Sequence, residues 1–527
     1  MNTTADRAAR PSSGEPAVPD AELITDIVPW WAERAPEHPA LVEASGSWTY
    51  RELHDAAGRM RDALAGAGIG PGDRVMLVGE NCRALVACFL GALALGAWPT
   101  IANPRLSDRE IEAIQSHSQA RRVLYTTGVS PRARSHAALA GAVALDDMGP
   151  GQLAIGPRDD AAVAEPIAGP PAERVAALVY TSGTTGQPKG VMLTHRNLLF
   201  TARVSGRLRG IHPPDHVYAV LPFSHILGLA GVLLGTLVHG GTVYLTPRFD
   251  PAATLAALRR DRLTLLLGTP SMFALMLDYA RGKGLETLRP HDLRLISSAG
   301  APLAPGSKEQ IERLFGLPLY NGYGVTECSP TVSQTWLGEE RPDISVGRVL
   351  PGLEVRLLDP DGAPVAPGAV GELFVRGPNV MKGYYRDPVA TAAVIGPDGS
   401  FRTGDLARFE GAHLFIVGRA KELIIRFGFN VYPPEVEAVL NAHPDVVHSA
   451  VVGRAVEGDE EIVAFVQLSP GSTTTVRDLA DHAARELAPY KQPSEIRLVD
   501  ELPTSAPGKI RKVDLVKLAA SPVARAT

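Results

Sequence analysis

Cysteine is scarce in this chain. Its 527 residues include three, Cys82, Cys88 and Cys328, too few and too scattered for a disulfide framework or a zinc site. A reduced, cytoplasmic setting follows as the expectation. Neither charge sign dominates: 52 Lys and Arg against 57 Asp and Glu leave a net −5. That excludes a whole-protein attraction to nucleic acid or to an anionic membrane. Long hydrophobic runs are missing too. Residues 84–98 and 226–238 are the longest apolar stretches, and both are shorter than the ~20 residues of a spanning helix. They read as buried core helices, with no stable membrane insertion. Residues 1–20 lack an apolar signal core and are polar and proline-containing, which suggests a disordered leader. No internal repeat or low-complexity tract interrupts the rest.

What is plentiful is length and punctuation. The chain exceeds the size at which one core keeps growing, so more than one domain is expected. With 52 Gly and 44 Pro and no fibrous period, it reads as a turn-rich enzyme. Thr49 and Glu52 form a capping box ahead of Leu53, Ala56, Met60 and Leu64 at helical spacing. Gly66 and Gly68 end that helix, Pro71-Gly72 turns the chain, and residues 74–78 form a strand before a buried helix from about Ala84. This rhythm predicts α/β layers with a largely parallel sheet. Residues 130–171 are rich in Ala, Gly and Pro and read as an ill-defined surface excursion before a strand at 176–180. Beyond 418–421, a helix carrying Val436, Val439 and Leu440, strands at 448–452 and 462–467 and a helix at 476–487 compose a small α+β unit. The expected organisation is a leader 1–20, a large domain 21–417, a hinge 418–421 and a small mobile domain 422–527, with the site between the two domains.

The densest chemical signal is Tyr180-Thr181-Ser182-Gly183-Thr184-Thr185-Gly186-Gln187-Pro188-Lys189-Gly190. A strand runs into a loop whose glycines let backbone N–H groups close on phosphate oxygens, while hydroxyls donate and Lys189 adds charge. It is not a Walker A loop, which needs Lys directly after the last Gly of G-x-x-x-x-G. A bare Gly/Thr surface turn explains so many phosphate-competent groups poorly. Further on stand Leu221-Pro222-Phe223-Ser224-His225, Ser298-Ala299-Gly300-Ala301-Pro302, Gly322-Tyr323-Gly324-Val325-Thr326-Glu327, Phe401-Arg402-Thr403-Gly404-Asp405, Gly418-Arg419-Ala420-Lys421-Glu422 and Pro507-Gly508-Lys509. In this order the set resembles the adenylate-forming superfamily of acyl-CoA synthetases, peptide-synthetase adenylation domains and firefly luciferase. The resemblance runs from about residue 25 to 518.

Each motif also has its own physical reading. Tyr323 between glycines offers a face for a purine, or is simply a packed core ring. Thr326 and Glu327 set a hydroxyl for a phosphoryl oxygen beside a carboxylate for Mg²⁺, a cation that prefers oxygen; alone, the pair is as readily a capped helix start. Asp405 could accept both ribose hydroxyls, though a turn aspartate is the commoner case. A loop lysine such as Lys509 is ordinarily a solvated charge. The resemblance implies more: Thr326 on the α-phosphate, Glu327 on the metal, Arg419 beside Asp405 at the ribose, and Lys509 bridging substrate carboxylate and α-phosphate. It also implies nucleotide contacts from Thr181, Ser182, Gly183, Thr184, Thr185, Gly186, Lys189, Ser298, Ala299, Gly300, Asn321, Gly322, Tyr323 and Gly324.

By the same resemblance His225 lines the acyl site near the reacting carboxylate. Ile226, Leu227, Gly231, Ala299, Gly300, Ala301, Cys328, Ser329 and Pro330 complete the wall. None of these carries a charge, and Phe223-Ser224-His225 lacks the aspartate of amino-acid-activating relatives, which implies a fatty or aromatic acid with an uncharged tail. Gly428-Phe429 resembles the element beside a CoA channel, and Lys421 matches the hinge position. Phe427 stands where Gly or Lys is common; Ile425 replaces the lysine of luciferases, against a light-emitting activity. The implied chemistry uses MgATP, a small carboxylic acid and CoA: acyl-AMP forms, then a CoA thioester. Alternatives are an acyl-AMP ligase loading a carrier protein, a silent adenylate-binding regulator, and a phosphotransferase releasing ADP. The acid's identity, the pathway and the oligomeric state stay open, a homodimer being one option.

Overall fold

The computed structural model describes residues 19–146, 152–182, 188–427, 429–456, 459–505 and 509–520. Most of the expected leader therefore lies outside the described residues. The capping box forms as read: Thr49 Oγ accepts from Glu52 N, and the Glu52 carboxylate accepts from Thr49 N at 2.8 Å. The helix Tyr50–Gly66 then buries Leu53, Ala56, Met60 and Leu64 against the helix Arg83–Ala94, which is apolar beyond its first residue.

A central sheet of nine strands organises the large unit. Six run parallel, in the spatial order Leu319–Gly324, Leu295–Ser298, Leu265–Gly268, His216–Ala219, Thr242–Leu245 and Pro39–Glu43. Antiparallel strands close both edges: Gly46–Thr49 on one side, Thr331–Gln334 and Arg348–Val349 on the other. A second sheet takes Trp98–Ala102, Arg74–Val78 and Ala120–Tyr125 in parallel, then Leu153–Ile155 and Val143–Leu145 antiparallel. Those last two strands and the helix Pro131–Leu139 fall within 130–171, so the part of that stretch up to 155 that is described is largely sheet edge and helix, while 156–170 carry no helix or strand. Three-residue strands are too short to show an alternating pattern. The hairpin Val175–Ser182 with Pro188–Thr194 is joined by Gly383–Tyr384. Four antiparallel strands, Glu354–Leu358, Gly371–Arg376, Phe401–Glu410 and His413–Arg419, complete the large unit.

After a single turn at Ala420–Glu422 the small unit begins. Its sheet pairs Val446–Val456 with Asp459–Leu468, and Glu495–Leu498 runs parallel to the latter. Helices Pro433–Asn441 and Val476–Glu486 cover one face of this sheet, and Lys512–Ala520 covers the other. Among the described residues, no buried core cluster draws from both sides of 417–423. The architecture is α/β, with a large N-terminal and a smaller C-terminal domain. No helix among the described residues is long and apolar enough to cross a membrane.

Candidate active site

Three parallel strands end side by side: Gly268 lies opposite Ser298, and Ser298 opposite Asn321. The carboxyl ends of such strands are where open α/β sheets collect ligands. Past the last of them the chain folds back sharply, Val325 N donating to Pro330 O at 3.0 Å around the turn Thr326–Cys328. Gly324 is required by that fold-back, because a Cβ there would stand 1.9 Å from Pro330 O. Thr326 and Glu327 are thus fixed at the strand end by backbone geometry, as a turn rather than as a helix start.

Two tyrosine–carboxylate pairs dominate the site. Tyr323 donates its phenol to Asp405 Oδ2 at 2.5 Å, while Arg419 Nε lies 3.1 Å from Asp405 Oδ1. Asp405 and Arg419 are cross-strand partners, and Asp405 is only 3% exposed. Burial, then the charge of Asp405, hold the Tyr323 phenol well above its ordinary value, so it stays protonated. Burial pulls the Arg419 guanidinium down, but the carboxylates of Asp405 and Glu422 outweigh it and raise the value on balance. The second pair is Tyr384 with Glu327: the phenol donates to Oε1 at 2.8 Å. Lys189 Nζ sits 4.8 Å from the centre of the same ring. Tyr384 therefore joins Lys189 of the hairpin to the Thr-Glu turn. Sequence reasoning missed it, since a tyrosine after Gly383 carries no chemical signal until strand Gly383–Tyr384 docks on the hairpin.

The remaining assigned residues divide into three groups. Thr181 pairs with Lys189, and Ser182 with Pro188, in the hairpin; Gly183, Thr184, Thr185 and Gly186 lie outside the described residues. Ser298 is fully buried, and its hydroxyl has no hydrogen-bond partner among the described residues; Ala299 is half-buried and Gly300 exposed with φ +87°. Gly322 is half-buried. Asn321 has its amide committed, donating to Ile344 O and accepting from Gly322 N, each at 3.0 Å. It shapes the strand end rather than presenting a free group.

The acyl-wall residues Ile226, Leu227, Gly231, Cys328, Ser329 and Pro330 are all buried, and Ala301 is half-buried. Asn81, another residue the sequence did not mark, holds the approach to His225. Its Nδ2 donates to Ala219 O and Leu221 O, and its Oδ1 accepts from Phe223 N, at 3.0, 2.9 and 2.9 Å. His225 Nδ1 accepts from Leu227 N at 3.3 Å, leaving the proton of the neutral ring on Nε2. The apolar run then forms a wide π-helical segment, Leu227–Leu234, a conformation that is rare and concentrated at functional sites. Ser329 Oγ is tied to Asn379 O at 2.9 Å. Burial, then the charges of Glu327 and Asp405, keep the Cys328 thiol protonated.

In the small unit the placements differ. Gly418 and Arg419 belong to the strand His413–Arg419, which leaves Ala420 and Lys421 as the exit from the sheet, and Lys421 is exposed. Gly428 lies outside the described residues. Phe429 is 54% exposed, its ring 4.7 Å from that of Tyr490. Phe427 adopts φ +53°, the left-handed region in which glycine is at ease, and this accounts for glycine being common there. The Lys509 backbone pairs with Ser505 in a short hairpin; its side chain lies outside what is described. Three residues on, Lys512 Nζ reaches Glu437 at 2.7 Å and Glu422 at 3.2 Å, tying the last helix to the segment beside Lys421.

Among the described residues no cluster of three or more His, Cys, Asp or Glu could hold a metal by itself. Glu327, with Oε1 engaged by Tyr384, offers one further carboxylate oxygen. Such a donor set fits Mg²⁺ carried in by a nucleotide, which keeps most of its ligands from phosphate and water.

Sheet order, strand-end carboxylates and the appended small unit together define a two-domain α/β enzyme. Residues 28–385 match the family described as AMP-binding enzyme, and residues 435–509 match the AMP-binding enzyme C-terminal domain. The chain belongs to this AMP-binding enzyme family. It is 34% identical over 512 residues to sulfoacetate–CoA ligase of Cupriavidus necator, covering 95% of this chain and 98% of the relative. It is 36% identical over 488 residues to feruloyl-CoA synthase of an Amycolatopsis species, covering 91% and 96%. The ATP-bound crystal structure of MatB from Rhodopseudomonas palustris superposes with a TM-score of 0.82 at 29% identity, covering 94% of this chain and 99% of that one.

Proposed function

We propose that the protein is an ATP-dependent acid–CoA ligase that makes an acyl-AMP with release of pyrophosphate, then an acyl-CoA with release of AMP. The observation that carries this reading is the buried Asp405, held between Tyr323 and Arg419 at the strand ends in a chain of the AMP-binding family. A carboxylate fixed in this way accepts two neighbouring ribose hydroxyls, with the Tyr323 ring beside it for the base. Thr326 faces the α-phosphate. Glu327 takes the Mg²⁺ of MgATP, which screens the phosphate charge when bound. Lys189 and the hydroxyls of 181–185 attend the outer phosphates.

With the acid's carboxylate beside His225, its oxygen attacks the α-phosphorus; the new O–P bond forms as the bond to pyrophosphate breaks. Lys509 bridges the two anions and neutralises charge developing in the transition state. No protein nucleophile is required, so catalysis consists of positioning and electrostatics. In the second step the CoA thiol adds to the acyl carbon and AMP departs, past Gly428 and Phe429. We take 21–417 and 422–527 as the two domains, with Lys421 as the swivel between the steps, and place the enzyme in the cytoplasm. The body of the acid meets the apolar wall from Ile226 to Gly231 and from Cys328 to Pro330.

The test is acid-dependent ATP–pyrophosphate exchange over a panel of acids, followed by nucleotide and thioester analysis with CoA and with carrier-bound phosphopantetheine. AMP, pyrophosphate and acyl-CoA are expected. ADP as product, exchange with no acid of the panel, or acyl transfer to the carrier alone would overturn the reading.

A further inference from the structure

Behind the apolar wall stands a charge that the sequence-derived lining lacks. Arg209 caps the helix His195–Leu208, which packs along the π-helical segment, and it is only 6% exposed. Its Nη1 donates to Gly231 O at 3.0 Å. The same nitrogen lies 3.8 Å from where a Cβ on Gly231 would be, and Leu227 Cδ1 borders that point at 3.0 Å. The guanidinium is therefore on the side of the segment towards which residue 231, a glycine, presents no side chain.

Three other buried or half-buried arginines are more fully engaged. Arg74 donates to four carbonyls, those of Gly72, Ser118, Gln119 and Val163. Arg294 spans both oxygens of Asp215, and Arg121 pairs with Asp73. Arg209 has one neutral acceptor and, among the described residues, no carboxylate. Burial pulls it down to about 10, so it remains a cation at neutral pH. Buried charges are ordinarily paired, and the planar fork of a guanidinium suits a planar or tetrahedral anion bidentately.

We propose that Arg209 forms an anion subsite behind Gly231, so that the acid taken by this enzyme carries a second anionic group, carboxylate or sulfonate, opposite its reacting carboxyl. This rests on the acyl-site reading of the preceding subsection. Gly231 puts no side chain of its own between the guanidinium and the wall, Leu227 being the side chain that must give way to an anion there, and Leu227 and Ile226 line the carbon chain between its two ends. Six positions separate His225 from Gly231, at most about 9 Å at the helical rise. That length suits a short aliphatic or single-ring diacid.

The experiment compares matched acids by kcat/KM for AMP release: glutarate with its monomethyl ester, terephthalate with its monomethyl ester, and 3-sulfopropionate with butyrate. The wild type should favour the dianion about 10²-fold or more in at least one pair, the size expected when a buried polar site loses its partner. The carboxylate and sulfonate arms show which anion it takes. Arg209→Met should erase that preference and Arg209→Lys should restore part of it, whereas a purely structural arginine would lower both members of a pair alike. Should Arg209→Met fail to fold, Gly231→Asp plants a carboxylate beside Nη1 and should erase the preference from within. Neutral-tailed acids matching or exceeding the dianions in every wild-type pair would overturn the proposal while leaving acid–CoA ligation intact. Absence of turnover with every acid would overturn both.

Discussion

At the strand ends of the large unit the carboxylates are covered and bonded: Asp405, buried, to Tyr323 and to the more exposed Arg419, and Glu327, half-buried, to Tyr384. At the hinge and in the small unit, residues assigned to the same reaction stand in solvent: Lys421 is exposed and Phe429 is 54% exposed. The difference follows from what each region has to do. A nucleotide site needed through both half-reactions gains from dipoles and charges fixed in advance, because no reorganisation is then spent at the moment of reaction. Groups needed in only one half-reaction must be able to leave, so they cannot be locked into a core. A strong tether of the small unit near its exit, Lys512 to Glu422 and Glu437, is internal to that unit. It makes the unit stiff without fastening it to its neighbour.

The sharpest way to break this comparison is Lys509→Ala. Acyl-AMP formation should fall by at least about 10²–10³-fold, the usual loss of one preorganised donor. Thioester formation from pre-made acyl-AMP and CoA should persist. Equal loss in both half-reactions would mean that the small unit does not exchange roles. Lys421→Pro probes the exit itself. Proline fixes φ near −65° and removes an N–H, so one orientation of the small unit should be trapped; such motions are absorbed by very few backbone torsions. Pyrophosphate exchange should stay within about a few-fold of wild type while thioester formation drops about tenfold or more. A wild-type thioester rate would exclude 421 as the swivel.

The smallest effect is expected within the rigid region. Tyr384→Phe deletes one hydrogen bond to the Glu327 carboxylate and keeps the ring beneath Lys189. It should weaken MgATP binding by about tenfold, in line with the 1.5–3 kcal/mol of a charge-assisted bond, discounted because the site is partly open to water. Titration of the variant with MgATP by calorimetry would show it, and an unchanged affinity would mean that Tyr384 does not hold Glu327 for the nucleotide.

The helix starting at Tyr50, the strand Arg74–Val78 and the layered α/β class were readable because their signals are local. A capping box spans three residues, and an amphipathic face repeats within one or two turns. The same holds for the motif residues Asp405, Glu327 and Lys189, whose identities announce their chemistry before any fold is known. The short strands at 143–145 and 153–155 escaped, because three residues carry no period. Tyr384, Asn81 and Arg209 escaped for a different reason. Each is an ordinary residue that acquires a role from a distant partner, Glu327 at 57 positions, Phe223 at 142 and Gly231 at 22.

What the sequence by itself determined is the set of reactive groups, the helix caps and the family to which they belong. Only the tertiary structure decided which groups meet. Tyr323 and Asp405 are 82 positions apart, and they touch because the end of the central parallel sheet faces the strand Phe401–Glu410 of a separate antiparallel one. Arg209 becomes a buried, singly bonded cation only because a helix end packs against a π-helical turn at a glycine. Contacts of this kind depend on sheet order and close packing, and no short stretch of chain encodes either.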